Sequence, residues 1–289
     1  MIVVVGDIAV DIVSTLHTQL ARGSDASADV RLMPGGSGAN VAVWLARLGK
    51  PVTFVGRVGD DPFGRWLADD LRAEGVESGL IVDPIRATGV IQVLVEPGGE
   101  RTMVPDRGAN AHWAGTEIAE ELIAGAALLH VVGYVLLDAA SRQGALQAMR
   151  LARQHGVPVS LDPSSHAPLQ ALGPASFWSL IGHVDVLLPN RAEAHTLTDR
   201  ANPGAAMEEL LHRARLVCIK LDREGCLAGT GELRWRVPAP PAGIANATGA
   251  GDAFDAAFLA GWLDGRDAGA AGAAAVALGT HAATLPTTR

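Results

Sequence analysis

Asn246-Ala247-Thr248-Gly249-Ala250-Gly251-Asp252-Ala253-Phe254 runs into an apolar helical stretch that ends at Trp262 and Leu263. Gly249 and Gly251 remove side-chain bulk where the backbone enters the helix, so several N–H groups point at one spot. Free donors and the helix dipole both favour an anion there. Asp252 falls in the first turn. A lone aspartate at a helix start commonly does no more than satisfy the dipole. Beside a glycine-made anion hole it has a second use, accepting the proton of a hydroxyl that attacks phosphorus. The chain contains neither G-x-x-x-x-G-K-[ST] nor G-x-G-x-x-G. A P-loop and a dinucleotide fold are therefore set aside.

Outward from this stretch, short apolar runs alternate with amphipathic ones. Residues 2–5, 53–55, 128–132, 157–161, 184–188 and 216–221 predict strands buried on both faces. Helices are expected over 40–48, 62–74, 139–155, 205–213, 250–263 and 268–283, with Gly49, Gly75 and Gly156 as stops. Strands separated by helices imply an α/β fold, with a mostly parallel central sheet covered on both faces. Two segments break the rhythm. Residues 11–33 alternate in polarity, and 88–104 do so around a turn at Pro97-Gly98-Gly99-Glu100. Both are assigned to a small auxiliary sheet, with segments of approximately 12–33 and 86–105 inserted as a lid into one domain spanning 1–289.

Composition narrows the function classes. The 289 residues are 48% hydrophobic and 19% charged, enough for a sizeable core. A net charge of −8 argues against a nucleic-acid surface. No apolar run reaches the ~18 residues of a bilayer span, and the start, Met1 to Asp7, carries no basic region. Two cysteines, Cys218 and Cys226, make no disulfide framework, and a reduced, cytoplasmic protein is expected. Nine histidines show no zinc-binding spacing. An acidic chain that binds a polyanion such as ATP must use backbone N–H groups, helix N-termini and a divalent metal.

Three further constellations carry chemistry. Pro34-Gly35-Gly36-Ser37-Gly38-Ala39-Asn40 opens the first long helix; its glycines permit close approach of a ligand, and Asn40 both donates and accepts. Gly6-Asp7 with Asp11 follows the first strand, where two carboxylates suit a polyhydroxylated ligand. Asn190-Arg191-Ala192-Glu193 supplies oxygen ligands of the kind that hold hydrated Mg²⁺ near phosphates, although an ordinary capping box has the same spelling.

Gly35-Gly36…Asn40, Asn190-x-x-Glu193 and Thr248-Gly249-Ala250-Gly251-Asp252, in this order, resemble the ribokinase-like (PfkB) family of carbohydrate kinases. Val58 to Gly64 and Arg107-Gly108-Ala109-Asn110 also look like family segments, so the resemblance spans essentially the whole chain. It implies an α/β sandwich with a small β-lid, ATP over the C-terminal half, and sugar between sheet and lid. By position, Asp252 matches the catalytic base, and Gly249, Ala250 and Gly251 the anion hole. Asp11, Gly35, Gly36 and Asn40 match sugar contacts, with Asp7 and Asn110 beside them. Asn190 and Glu193 match the motif that governs Mg²⁺ and phosphate, acting indirectly on the metal. The nucleotide is expected along Lys220, Asp222, Gly225, Thr248 and the last helix around His281.

Two departures from the family pattern stand out. Asn246-Ala247 replaces the usual Asp-Thr of a monovalent-cation loop, which leaves K⁺ an open addition to ATP and Mg²⁺. Asp162-Pro163-Ser164-Ser165-His166 begins like a family segment and ends differently. The expected activity is phosphoryl transfer from ATP to a hydroxyl of a small sugar. The rivals are a nucleoside kinase of the same fold and a catalytically silent sugar- or nucleotide-binding regulator. A homodimer through the lid edge is a further expectation.

Overall fold

The computed structural model describes residues 1–20, 23–113, 117–243 and 248–285. The strands of the first half are β1 (Ile2–Val5), β2 (Ala9–Leu16), β3 (Ala28–Gly35), β4 (Val52–Val55), β5 (Arg57–Gly59), β6 (Glu77–Ser78) and β7 (Ile81–Asp83). Then come β8 (Gly89–Val95), β9 (Arg101–Asp106), β10 (Leu128–Val132), β11 (Val159–Asp162) and β12 (Val184–Leu187). The last three are β13 (Ala214–Lys220), β14 (Cys226–Thr230) and β15 (Leu233–Val237). Helices α1 (Ser37–Arg47), α2 (Pro62–Ala73), α3 (Glu120–Ala124), α4 (Tyr134–Leu137), α5 (Arg142–Gln154) and α6 (His166–Leu172) are followed by α7 (Pro174–Ile181), α8 (Arg191–Thr198), α9 (Pro203–Leu210), α10 (Ala250–Leu263) and α11 (Ala268–Ala283).

Nine strands form the central sheet, in the order β15-β14-β13-β12-β11-β10-β1-β4-β6. From β13 through β6 every pairing is parallel, and β14 and β15 close one edge antiparallel. Alternation within β1 divides the core in two. Ile2 and Val4 pack with α1, α2, α10 and α11, whereas Val3 and Val5 pack with the helices of the opposite face. The α/β fold class, with helices on both faces of a mostly parallel sheet, is what this order produces.

A separate four-stranded sheet, in the order β3-β2-β8-β9, stands beside the central one. Its hairpin β8–β9 turns where Pro97 to Glu100 was expected to turn it. The sequence boundaries shift in places for local reasons. Helix α1 starts at Ser37, three residues before Asn40, because Gly36 at φ 92° supplies its N-cap. Helix α9 starts at Pro203 because the Asn202 side chain accepts from Gly204 and Ala205 N–H. The helix expected over 139–155 is α5, which starts three residues later at Arg142, and the short α4 precedes it.

Gly6 and Gly38 let the end of β1 touch the start of α1. A Cβ on Gly6 would lie 2.7 Å from Gly38 Cα, and one on Gly38 2.6 Å from Gly6 Cα. Helices α10 and α11 also approach closely, since a Cβ on Gly261 would meet Ala271 Cα at 3.3 Å. That contact accounts for the Ala- and Gly-rich composition of α11. Among the described residues no helix is long and apolar enough to cross a membrane.

Candidate active site

The functional side chains gather where the parallel strands end. Asp7 follows β1, Asp162 ends β11, Asn190 follows β12 and Lys220 ends β13. This is the edge of an open α/β sheet at which ligands bind. Together with the four-stranded sheet they line a cleft of about 1500 Å³. A small-ligand pocket is typically ~300–1,000 Å³, so the cleft has room for two ligands side by side.

Helix α10 points its start into the cleft. Gly249 is its N-cap at φ 81°, a conformation that a residue with a Cβ adopts at a cost, and it brings no capping side chain of its own. Among the described residues a Cβ on Gly251 would meet nothing within 4 Å, so the glycine leaves the cleft wall bare there. Asp252, 9% exposed, accepts from Ser37 Oγ at 2.6 Å and from Asn40 Nδ2 at 2.8 Å. Both its oxygens are thus tied to the first turn of α1. Burial pushes its pKa up to about 7, the Ser37 and Asn40 bonds oppose that shift, and nearby Asp162 and Asp7 add to it. A carboxylate has about four lone-pair sites, so Asp252 can accept from another donor.

Also at the start of α1, Asp7 Oδ1 accepts from Gly38 N–H at 3.3 Å, and burial raises its pKa while the Arg107 guanidinium opposes. Asp11 is buried on β2. Gly35 pairs with Ala9 rather than lining the cleft, and its missing Cβ leaves space for the Asp11 carboxyl, which would otherwise be 2.5 Å away. Gly36 lines the cleft. Asn110 also lines it, but its amide clamps the backbone behind Asp7: Nδ2 donates to Ile8 O at 2.7 Å, and Oδ1 accepts from Ile8 N–H at 3.1 Å. Asn40 Oδ1 and Arg107 Nη2 are buried atoms with no hydrogen-bond partner among the described residues, the sort of acceptor and donor that a hydroxylated ligand satisfies.

Elsewhere in the cleft, Asn190 and Glu193 form a complete capping box. Asn190 Oδ1 accepts from Glu193 N–H at 2.9 Å, and Glu193 accepts from Asn190 N–H and Nδ2 at 2.8 and 2.7 Å. Both residues line the cleft, and burial with nearby Asp162 pushes Glu193 up to about 7 while Lys220 opposes. Among the described residues no three His, Cys, Asp or Glu side chains gather into a metal cage. This donor set fits Mg²⁺ as it usually binds near nucleotides, keeping its waters and riding on phosphate oxygens. Lys220, Asp222, Gly225 and Thr248 line the cleft as expected positions. His281 does not. It is exposed, whereas Val276, Gly279, Thr280 and Ala283 turn toward the cleft. One residue of helix is about 100° of rotation, which carries His281 off the face that Thr280 presents. Asn246 and Ala247 lie outside the described residues.

Several participants were not singled out in the sequence. Ser37 lay within the quoted glycine stretch, and its i,i+3 spacing to Asn40 was the available signal. Arg101, at the start of β9, reaches Thr248 Oγ1 at 2.7 Å. Tyr134, the only tyrosine, lines the cleft near Asp7, Asp162 and Asp252. These are long-range contacts with no local signature.

A family model described as pfkB family carbohydrate kinase matches residues 1–289. Fructokinase-1 of Oryza sativa subsp. japonica is 33% identical over 271 residues, covering 90% of this chain and 82% of the relative. Among solved structures, Halothermothrix orenii fructokinase aligns with TM-score 0.80 at 28% identity, over 96% of this chain and 97% of that one. A ribokinase II candidate from E. coli, solved in complex with ATP and Mg²⁺, aligns with TM-score 0.89 at 24% identity, over 99% of this chain and 94% of that one.

Proposed function

This chain belongs to the pfkB family of carbohydrate kinases and is an ATP-dependent sugar kinase, and we propose that Asp252 is its base, acting on a hydroxyl of a neutral ketohexose such as fructose. The carrying observation is the placement of Asp252, fixed through both oxygens at the mouth of a helix that a glycine opens.

The acceptor hydroxyl oxygen attacks the γ-phosphorus as its proton passes to Asp252. The bond from that phosphorus to the β,γ-bridging oxygen breaks in line, and ADP leaves. N–H groups from Gly249 to Gly251 face the oxygens on which charge builds, and removal of one such donor typically costs ~10²–10³-fold in rate. Asn190 and Glu193 would hold Mg²⁺, which would supply charge neutralisation on the phosphates. The four-stranded sheet serves as a lid that excludes water, with Arg101 reaching across to Thr248.

Electrostatics support a neutral acceptor. Asp7, Asp11, Asp138 and Asp252 line the sugar side, and Arg107, paired with Asp138 at 3.3 Å, is the cation among them. A sugar acid or sugar phosphate would meet net negative charge there. The name of the rice relative, fructokinase, supports a ketohexose. A coupled assay of ADP release with Mg²⁺ over fructose, ribose, a sugar acid and adenosine tests this. Fructose is expected to give the highest kcat/KM, and turnover of adenosine alone would replace the assignment with a nucleoside kinase. The acid limb of kcat/KM is expected near pH 7, with activity rising as Asp252 loses its proton.

A further inference from the structure

Three charged side chains, two of them in the cleft wall, take no part in that proton transfer. Lys220 ends β13, Asp162 ends β11, and Asp255 stands three residues beyond Asp252 on α10. Lys220 Nζ donates to the two oxygens of Asp255 at 3.0 and 3.1 Å and to Asp162 Oδ2 at 3.2 Å. The contacts match the three hydrogens of an ammonium. The Asp255 side chain is 0% exposed, and those of Asp162 and Lys220 are 8% and 13% exposed. Buried charges of this kind stabilise a fold weakly, because desolvation offsets their attraction, but they fix geometry.

Lys220 holds a second element through its backbone. Its N–H donates to Pro189 O at 2.8 Å, and an isolated parallel bridge joins it to Asn190. One residue therefore touches both the segment that carries the Asn190–Glu193 cap and the helix that carries Asp252. Asp252 and Asp255 are i,i+3 neighbours, so whatever anchors one anchors the other. We infer that Lys220 and Asp255 are positioning residues: their buried ion pair pins the start of α10 to the end of β13 and so sets the span between the glycine turn and the Asn190–Glu193 cap. This rests on the assignment of Asp252 and the glycine turn as the phosphoryl-transfer site. Ser37, Asn40 and Asp7 hold the sugar side from α1 and the end of β1, and none is hydrogen-bonded to the pair among the described residues. Loosening the pair should therefore reach kcat and spare sugar binding.

Asp255→Ala deletes the acceptor, whereas Asp255→Asn keeps one oxygen for the ammonium. A shift of ~1 Å at a reacting group costs ~10²-fold, so Asp255→Ala is expected to lose roughly 10–100-fold in kcat with sugar KM within about twofold. Asp255→Asn is expected to stay within about threefold of wild type by the same principle. Hydrogen exchange of the first turns of α10 should be faster in Asp255→Ala and unchanged in Asp255→Asn. Equal losses in the two variants, a rise in sugar KM that tracks kcat, or unchanged exchange would overturn the inference. Should Asp255→Ala fail to fold, Lys220→Arg keeps the charge but lengthens the tie. A lowered kcat at wild-type Tm then supports the pin, and an unchanged kcat removes it. A wild-type protein that phosphorylates no sugar sinks the transfer site itself, and exchange alone then decides about the pin.

Discussion

Two helices of this molecule start alike and end up used differently. Both α1 and α10 open on a glycine N-cap at positive φ, 92° at Gly36 and 81° at Gly249, with no side-chain cap. Helix α7 also opens on a positive-φ glycine, Gly173 at 84°, but that glycine does not line the cleft, whereas α2, α8, α9 and α11 carry Asp61, Asn190, Asn202 and Asp267 as capping side chains. At α1 the protein supplies its own anion, since Asp7 Oδ1 accepts from Gly38 N–H and Asp7 O from Ala39 N–H at 3.2 Å. At α10 the carboxylate in the first turn, Asp252, is turned back to α1 through Ser37 and Asn40. A donor-rich helix start filled from within is architecture, and one left to a ligand is a site.

The sharpest test of that contrast is Asp252→Asn. General-base loss typically costs ~10²–10⁴-fold, and kcat in the ADP-release assay is expected to fall by this amount. The same variant has a pH signature. The folded pKa of Asp252 is raised, so its contribution to stability is fully present below the unfolded value and is lost as pH rises through about 7. Thermal melts should therefore show the Tm of Asp252→Asn gaining on wild type between pH 5 and pH 8. A constant difference across that range would mean the carboxylate is not held in a raised-pKa environment.

Next in size comes Gly36→Ala. Its Cβ would lie 2.5 Å from Ile8 Cα and 2.7 Å from Asp7 O, in a backbone conformation that already disfavours a side chain. Overpacking alone costs ~1–3 kcal/mol, and denaturant titration should show at least that loss. Gly251→Ala is the counterpart at α10. Its Cβ enters open space, so Tm should hold, while the bare wall offered to phosphate is filled and kcat falls roughly 10-fold or more. If Gly251→Ala unfolds the protein while Gly36→Ala is tolerated, the two helix starts have been assigned the wrong way round. The smallest effect belongs to Asp7→Ala, which removes the internal anion at α1; cap losses are ~0.5–2 kcal/mol, to be read from urea midpoints.

Much of the sheet was legible. Strands β1 and β10, the second apolar but for His130, keep their expected bounds to the residue, and so do helices α10 and α11. The edge was not. β14 and β15 carry Gly229, Arg234 and Arg236, and their pairing depends on β13 rather than on a local pattern. Within the cleft, the glycine turn and Asp252 stood out because their chemistry is local to nine residues of chain. His281 was misjudged because membership of a helix does not say which face is presented.

By itself the sequence determined the alternation of strand and helix, the glycine-opened helix start and the family, since each is written in neighbouring residues whose backbone preferences and spacing act locally. Only the tertiary structure decided that Asp252 would be gripped by Ser37 and Asn40, more than two hundred residues away in the chain, and that Lys220 would be shared between Asp162 and Asp255. Burial raises the energy of an unpaired charge until it finds its partners, and which partners lie within reach is set by the packing of the whole sheet.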